Sequence, residues 1–239
     1  MLFLDEEYKS IMLALRYNPW FTHLIVRDNR LLSRDAANAI MNLFRHATVL
    51  TNLDVANSNF TREAYLTLHD ALVFNQSYTQ LRYLDLSHTS VEDKVLVLNI
   101  AHARTDQVVQ GLTFLTSFIE RCGDSVNVEH IDLTNTNLSS KGLAALFTCF
   151  KKCAPLLDHL TYLNISENRL DQEGSGVMSQ WLALPNFKLR TIKLVNTQAH
   201  LPLVIPAVQR GCLRLTELDV SKNRFTDKVR PALVRLLQG

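Results

Sequence analysis

The sequence is poor in the residues that mark several common protein classes. Its 239 residues include only 7 glycines, 6 prolines and 4 cysteines. The low glycine and proline content excludes a collagen-like or low-complexity chain. So few cysteines in a chain of this length exclude a small disulfide-rich scaffold. No apolar run reaches the roughly 18 residues of a transmembrane helix, and acidic residues interrupt the apolar N-terminal stretch, which argues against a signal peptide.

Neither sign of charge dominates the chain. Lys and Arg number 25 against 23 Asp and Glu, which leaves a net charge of +2. Nucleic-acid-binding domains usually present a strongly basic surface, so we predict no nucleic-acid partner. The lack of a long apolar run predicts no direct insertion into a membrane. Four cysteines without paired spacing indicate a reducing compartment, and the predicted location is therefore the cytoplasm.

Catalytic and metal-binding motifs are also missing from the sequence. Neither the G-x-x-x-x-G-K-[ST] phosphate loop nor the dinucleotide-binding G-x-G-x-x-G motif occurs. Cys149 and Cys153 lie four residues apart on one predicted helix, but zinc sites need four ligands and no second pair is visible. We therefore expect these thiols to be buried or simply exposed and not to bind a metal. We also predict a protein that is not an enzyme and binds no cofactor.

Leucine, in contrast, is abundant and recurs in a repeated pattern. The chain contains 41 leucines, and the leucine-rich-repeat template L-x-x-L-x-L-x-x-N-x-L fits seven stretches. These stretches begin at Phe21, Leu50, Leu81, Val128, Leu160, Leu189 and Leu215. The second aliphatic position advances by 29, 31, 47, 32, 29 and 26 residues.

Such long steps leave room for a helix after each strand. We therefore predict an α/β leucine-rich-repeat solenoid of about seven repeats, similar to ribonuclease inhibitor, with parallel strands on the concave face and helices on the convex face. The 47-residue step leaves residues 91–127 as an inserted helix or a degenerate repeat, and we favour the inserted helix. No linker divides the chain, so residues 1–239 are predicted to form a single domain. Both ends are predicted to be helices without a polar cap, which favours a fragment of a longer array, covering domains or self-association through the ends. The alternative is that the two helices themselves are adequate caps.

The template also assigns a role to each position within a repeat. Because strand side chains alternate, positions four and six face the core, and positions three, five and seven face the concave surface. The ninth-position side chains are predicted to form a continuous polar ladder between repeats; they are Asn29, Ser58, Thr89, Thr136, Asn168, Thr197 and Asn223.

The helix of the fourth repeat shows the expected helical features. Ser139 or Ser140 can cap its N-terminus. The core-facing stripe predicted by helical spacing consists of Leu143, Leu146, Phe147 and Phe150. Gly142 and Gly174 are predicted to be small residues where a helix closes on its strand.

Polar and aromatic side chains accumulate at the third and fifth template positions. We call nine of them the concave column and predict that they bind a basic or arginine-bearing segment of a partner. They are Asp54, Tyr83, Asp85, His130, Asp132, Tyr162, Asn164, Lys193 and Asp219. The alternative is that Asp occurs at the fifth position merely because that position is exposed, and that His23 and His130 are solvated polar residues.

Two stretches carry a more specific resemblance. Residues 14–31 (ALRYNPWFTHLIVRDNRL) and 181–198 (WLALPNFKLRTIKLVNTQ), the latter followed by QRGCLRLTELDVSKNRF at 209–225, resemble CARMIL proteins, which are actin regulators that bind capping protein. The informative letters include Tyr17-Asn18, Trp20 to Thr22, Pro185-Asn186 and Arg210 to Leu213. The long step after Val91 departs from the family pattern.

The resemblance implies an interior section of the CARMIL leucine-rich-repeat domain and hence a non-enzymatic scaffold with cytoskeletal protein partners. It also implies recruitment to the plasma membrane by domains outside this chain. Nothing in the chain resembles the family's tail that binds capping protein. Two alternatives share the architecture: a GTPase-activating leucine-rich-repeat protein of the RanGAP type and a tropomodulin-like protein that binds actin filament ends.

Overall fold

A computed structural model describes residues 5–29, 46–58, 80–89 and 127–238, together with positions 35, 38–39 and 42–43. The predicted insertion at 91–127 lies outside the described residues except for Asn127. Seven three-residue strands are described, one in each predicted repeat. They are β1 (His23–Ile25), β2 (Asn52–Asp54), β3 (Tyr83–Asp85), β4 (His130–Asp132), β5 (Tyr162–Asn164), β6 (Thr191–Lys193) and β7 (Glu217–Asp219).

The strands form one parallel sheet in chain order, β1 to β7. Their register aligns the fourth template position across the whole sheet, since Leu24 pairs with Leu53, Leu53 with Leu84, and so on to Leu218. Each step between neighbouring strands therefore spans one repeat, including the 47-residue one. The predicted leucine-rich-repeat solenoid is confirmed.

The described helices lie before, between and after these strands. They are α1 (Asp5–Leu15), α2 (Ser140–Lys152), α3 (Ala154–His159), α4 (Asp171–Leu182), α5 (Leu201–Gly211) and α6 (Arg230–Gln238). Ser139 caps α2, because its Oγ accepts the Gly142 amide at 3.2 Å. The four residues of the predicted stripe on α2 are all fully buried.

The core lies between the sheet and the helices. Aliphatic residues at the fourth and sixth template positions are buried in repeats one to six. An aromatic cluster fills the space under α2 and α4, where the ring of Trp181 lies 5.3 Å from Phe147, 5.2 Å from Phe150 and 4.7 Å from Phe187. Cys149, Cys153 and Cys212 are buried thiols.

The ninth position is a mixed polar row, as predicted, and three of its side chains, Ser58, Asn168 and Asn223, bond to a backbone carbonyl of the preceding repeat. Ser58, Thr89, Thr136 and Thr197 are fully buried, and Asn168 is 4% exposed. The Asn168 Oδ1 accepts the amides of Thr136 (3.2 Å) and Leu138 (2.9 Å) in the preceding repeat, while its Nδ2 donates to the Leu133 carbonyl at 2.6 Å. Asn223 repeats this arrangement around Thr197.

Two glycines sit where helices pack against neighbouring backbone. A Cβ at Gly174 would lie 2.9 Å from the Leu170 Cδ1 and 3.1 Å from the Ser140 Oγ, so Gly174 packs closely against the start of α2 and not, as predicted, against its strand. A Cβ at Gly211 would lie only 1.9 Å from the Leu182 carbonyl oxygen and 2.6 Å from that of Leu184. The end of α5 can therefore approach α4 so closely only with glycine at position 211.

The turn after each strand uses a left-handed residue at the eighth template position. All seven have positive φ, between 50° and 62°, and none is glycine: Asp28, Asn57, His88, Asn135, Glu167, Asn196 and Lys222. Three of them are Asn, which tolerates this conformation better than most residues. The regular turn keeps the polar ladder in register from repeat to repeat.

Candidate protein-interaction surface on the concave face

The nine residues of the concave column lie on six neighbouring strands in matched register. The pairing of β2 with β3 places Asp54 beside Asp85, and the pairing of β3 with β4 places Tyr83 beside His130. Tyr162 and Asn164 continue the two rows on β5. Lys193 and Asp219 complete the fifth-position row. The sheet thus brings all nine predicted residues onto one surface.

The fifth position is far less exposed than the sequence suggested. Asp54, Asp85 and Asn164 are only 5%, 6% and 9% exposed. Neighbouring strands lie about 4.8 Å apart, so the larger third-position side chains beside these residues cover most of their surface. The interpretation that Asp occurs there because the position is exposed is therefore wrong for the middle of the sheet.

One carboxylate or amide oxygen at the fifth position stabilises the following turn. In five repeats, Oδ1 accepts the backbone amide two residues ahead, at 2.9 to 3.1 Å, and the five side chains are Asp54, Asp85, Asp132, Asn164 and Asp219. Short Asp and Asn side chains suit this local bond. The LDLS-type pattern was the sequence signal for it, and sequence reasoning missed it.

The second oxygens of Asp54 and Asp85 meet more distant partners, and that of Asp85 accepts the Tyr83 hydroxyl at 3.4 Å. The described cation nearest to both is Arg27, whose Nη1 lies 3.5 Å from the Asp54 Oδ2 and whose Nη2 lies 4.0 Å from the Asp85 Oδ2. Sequence reasoning did not single out Arg27, which is at the seventh position of the first repeat. The Arg27 side chain is half exposed and reaches across β2 and β3. The carboxylate pair therefore already lies near a guanidinium, at distances longer than a hydrogen bond.

A three-ring stack forms the centre of the third-position row. The His130 ring lies 4.2 Å from that of Tyr83 and 4.0 Å from that of Tyr162, with interplanar angles of 19° and 4°. His130 is therefore half buried between two tyrosines, and its interpretation as a solvated histidine is wrong. His23, at the edge of the sheet, is exposed.

The remaining members of the column form local networks. The Asp132 Oδ2 accepts bonds from the Asn164 Nδ2 at 3.1 Å and the Tyr162 hydroxyl at 3.3 Å, so this carboxylate is well satisfied. Lys193 pairs with Glu217 at 3.1 Å, and its Nζ lies 5.9 Å from the centre of the Tyr162 ring. The column thus passes from two adjacent carboxylates through an aromatic stack to a lysine.

Burial changes the acid–base behaviour of this surface. Loss of hydration raises the pKa of Asp54 and, with the nearby Asp85, raises the pKa of Tyr83 to about 12. The same loss lowers the pKa of His130, although Asp132 and Asp85 act against it. At the exposed end, a hydrogen bond to Glu217 raises the pKa of Lys193, and the bonds from Ser221 lower the pKa of Asp219.

Comparison with known proteins agrees with this architecture. A family model described as leucine-rich repeat matches residues 124–147, 158–174 and 212–228. Protein CARMIL of Dictyostelium discoideum is 25% identical over 232 residues, which cover 97% of this chain and 20% of that protein. The human capping protein, Arp2/3 and myosin-I linker protein 3 is 28% identical over 92% of this chain and 15% of its own length.

The chain holds a CARMIL-like leucine-rich-repeat region. A third relative, the Rho GTPase-activating protein gacW of Dictyostelium discoideum, is 26% identical over 92% of this chain and 17% of its own length. The chain therefore spans between 15% and 20% of the length of these relatives.

This CARMIL-like region is a leucine-rich-repeat protein-interaction domain. Among the described residues, no three His, Cys, Asp or Glu side chains are grouped in a way that could hold a metal ion. Within the same ranges, every helix is too short or too polar to cross a lipid bilayer.

Proposed function

We propose that this chain is a non-enzymatic scaffold of an actin-cytoskeleton regulator similar to CARMIL, and that its concave column binds a basic segment of a protein partner. The proposal includes a single repeat domain over residues 1–239 that works in the cytoplasm, with other domains directing it to the plasma membrane. The observation that carries the binding proposal is the pair of adjacent carboxylates Asp54 and Asp85, whose second oxygens lie 3.5 and 4.0 Å from the Arg27 guanidinium.

The carboxylate pair favours a cation for a physical reason. Two neighbouring carboxylates repel one another, and their low exposure increases the repulsion because little water screens it. Arg27 relieves it only at 3.5 and 4.0 Å, longer than a charge-assisted hydrogen bond of about 2.8 Å. A partner's guanidinium or ammonium group can come closer, and the adjacent Tyr83 ring adds a surface on which a cation can stack.

The test uses isosteric variants that preserve the turn. Asp54→Asn and Asp85→Asn keep the oxygen that accepts the backbone amide, as Asn164 does in the fifth repeat. A fluorescent eight-residue peptide of alternating Arg and Gly serves as the probe. We expect its Kd to rise about tenfold in the double variant, as measured by fluorescence anisotropy at low salt.

Glu173→Gln is the matched control, because Glu173 is an exposed carboxylate on the convex helix α4. Its peptide affinity should equal that of the unmodified chain. Equal affinity in the Asp54→Asn/Asp85→Asn variant, or no binding by the unmodified chain, would reject the concave column as the binding surface.

A second candidate function rests on the relative named as a Rho GTPase-activating protein. A repeat domain that activates a GTPase needs a side chain, usually Arg or Asn, that reaches the bound nucleotide. The direct assay is GTP hydrolysis by a purified Rho-type GTPase with and without this chain. Stimulation of the rate would favour this candidate over the scaffold, whereas an unchanged rate favours the scaffold.

A further inference from the structure

A second surface lies away from the concave column, at the edge where the helices end and the chain enters the strands. A cavity of about 470 Å³ opens there between the fifth, sixth and seventh repeats. Phe187 and Gly211 line it, and Lys188, Arg214 and Asp158 carry the charges around it. Leu213, which also lines the cavity, is 82% exposed.

Both stretches that carry the family resemblance in the C-terminal half meet at this cavity. Phe187 and Lys188 follow the Pro185-Asn186 pair, and Leu213 ends the Arg-Gly-Cys-Leu run. Packing explains part of these stretches, since Phe187 is buried and Gly211 fits against the Leu182 carbonyl. Packing does not explain an almost fully exposed leucine at position 213, so this side chain is available to a partner.

The same edge is strongly basic, although the whole chain is nearly neutral. Its three neighbouring segments, residues 151–161, 183–190 and 209–216, are joined side by side by backbone bonds such as that from the Lys188 amide to the Leu157 carbonyl, at 3.0 Å. They contain a single acidic residue, Asp158, and six basic ones: Lys151, Lys152, Lys188, Arg190, Arg210 and Arg214.

Helix polarity accounts for some of this charge. Lys151, Lys152 and Arg210 lie in the last turns of α2 and α5, where a cation is favoured by the helix dipole. Lys188 and Arg214 lie outside helices, and neither pairs with an acidic side chain among the described residues. Their charges are therefore free to act on a ligand.

We propose that this cavity docks an acidic segment of a protein partner, with an apolar side chain against Leu213 and a neighbouring carboxylate between Lys188 and Arg214. The surface is independent of the concave column and leaves that proposal unaffected. A peptide fits better than a lipid phosphate or nucleic acid, because Asp158 repels a densely charged polyanion and because Leu213 offers apolar contact area.

The test uses a fluorescein-labelled hexapeptide of alternating Glu and Leu, with a Gln and Leu peptide as the uncharged comparison. We expect the acidic peptide to bind the intact chain more tightly than the uncharged one. The Lys188→Gln/Arg214→Gln variant should weaken acidic-peptide binding about fivefold, because it removes both positive charges that would pair with the peptide carboxylate. Leu213→Ser should weaken binding of both peptides.

Arg224→Gln is the matched control, because Arg224 is an exposed arginine that does not line the cavity. It should leave the affinity of both peptides unchanged. Equal loss in Arg224→Gln would reduce the effect to general electrostatics and overturn the proposal. Failure of the acidic peptide to bind would also overturn the proposal. So would a result in which Lys188 and Arg214 are needed for binding of phosphatidylserine vesicles or a thymidine oligonucleotide but not for binding of the acidic peptide.

Discussion

At the scale of single residues, Asn168 shows how one side chain links two repeats. Its side-chain oxygen accepts hydrogen bonds from two backbone amides of the fourth repeat, and its side-chain nitrogen donates to carbonyls of the fourth and fifth repeats. The residue is only 4% exposed. Asn168→Ala leaves several buried backbone groups without partners, each costing about 1–3 kcal/mol. We expect the free energy of unfolding to fall by about 3 kcal/mol or more, as measured by urea denaturation.

Asn29→Ala is the matched comparison at the other end of the ladder. Among the described residues, Asn29 donates to the carbonyls of Val26 and Arg27 within its own repeat, and it is partly exposed. Its loss should cost about 1 kcal/mol, since water can replace it. Similar losses for both variants would contradict the role of Asn168 as a link between repeats.

His130 provides a prediction about pH. Burial between two tyrosine rings lowers the pKa of His130 below the ordinary value of 6.5. Between the lowered value and 6.5, the unfolded chain therefore binds more protons than the folded chain. The contribution to stability is complete above pH 6.5 and decreases as pH falls toward the folded-state pKa.

His130→Phe preserves a three-ring stack without a titrating group. We expect the variant to lose less stability than the unmodified chain between pH 7 and pH 5, as followed by thermal denaturation at each pH. An NMR titration of the His130 ring should give a pKa below 6.5. Parallel stability curves for the two proteins would refute this account.

At the scale of elements, Gly211 sets the distance between α4 and α5. A methyl group there meets two backbone carbonyls, at 1.9 and 2.6 Å, and backbone cannot move aside as a flexible side chain can. Gly211→Ala should therefore lower the free energy of unfolding by about 3 kcal/mol, the upper end of the usual cost of overpacking. Denaturation with urea measures the effect.

Gly176→Ala is the internal control for this prediction. Gly176 lies within α4, and a Cβ there has no neighbour within 4 Å. Alanine should stabilise the helix by about 0.5–1 kcal/mol, because glycine loses more backbone entropy on folding. If both alanine variants change stability in the same direction, close packing at Gly211 is not the cause.

At the scale of the whole molecule, the sequence predicted the features that follow from the spacing of the repeats. It did not predict the features that depend on contacts between side chains of different repeats. The inward leucines and the Asn168 ladder follow from the template, because a strand's alternation decides which side chains are buried. The burial of Asp54 depends on side chains from the adjacent repeat. The reach of Arg27 across two strands and the cavity beside Leu213 likewise come from segments distant in sequence, which the period of one repeat does not describe.

Stacking also predicts that stability varies along the solenoid, since each repeat is stabilised chiefly by its neighbours. Leu163 and Ile165 of the fifth repeat are fully buried, whereas Leu218 and Val220 at the equivalent positions of the seventh are partly exposed. The Tyr162 and Glu217 amides make equivalent bonds, donating to the Glu129 carbonyl at 3.1 Å and to the Arg190 carbonyl at 2.9 Å. Differences in their hydrogen exchange therefore report local opening and not bond length.

We expect the Glu217 amide to exchange at least about tenfold faster than the Tyr162 amide, after correction for intrinsic rates, because opening the seventh repeat exposes less apolar surface. Native-state hydrogen exchange followed by NMR measures both amides in one sample. The Thr191 amide is the comparison from the sixth repeat: it donates to the Thr161 carbonyl at 3.0 Å, and the next residue, Ile192, is fully buried. It should exchange as slowly as the Tyr162 amide. Equal protection at all three amides would mean that the repeats open only as one cooperative unit, which contradicts neighbour-limited stability.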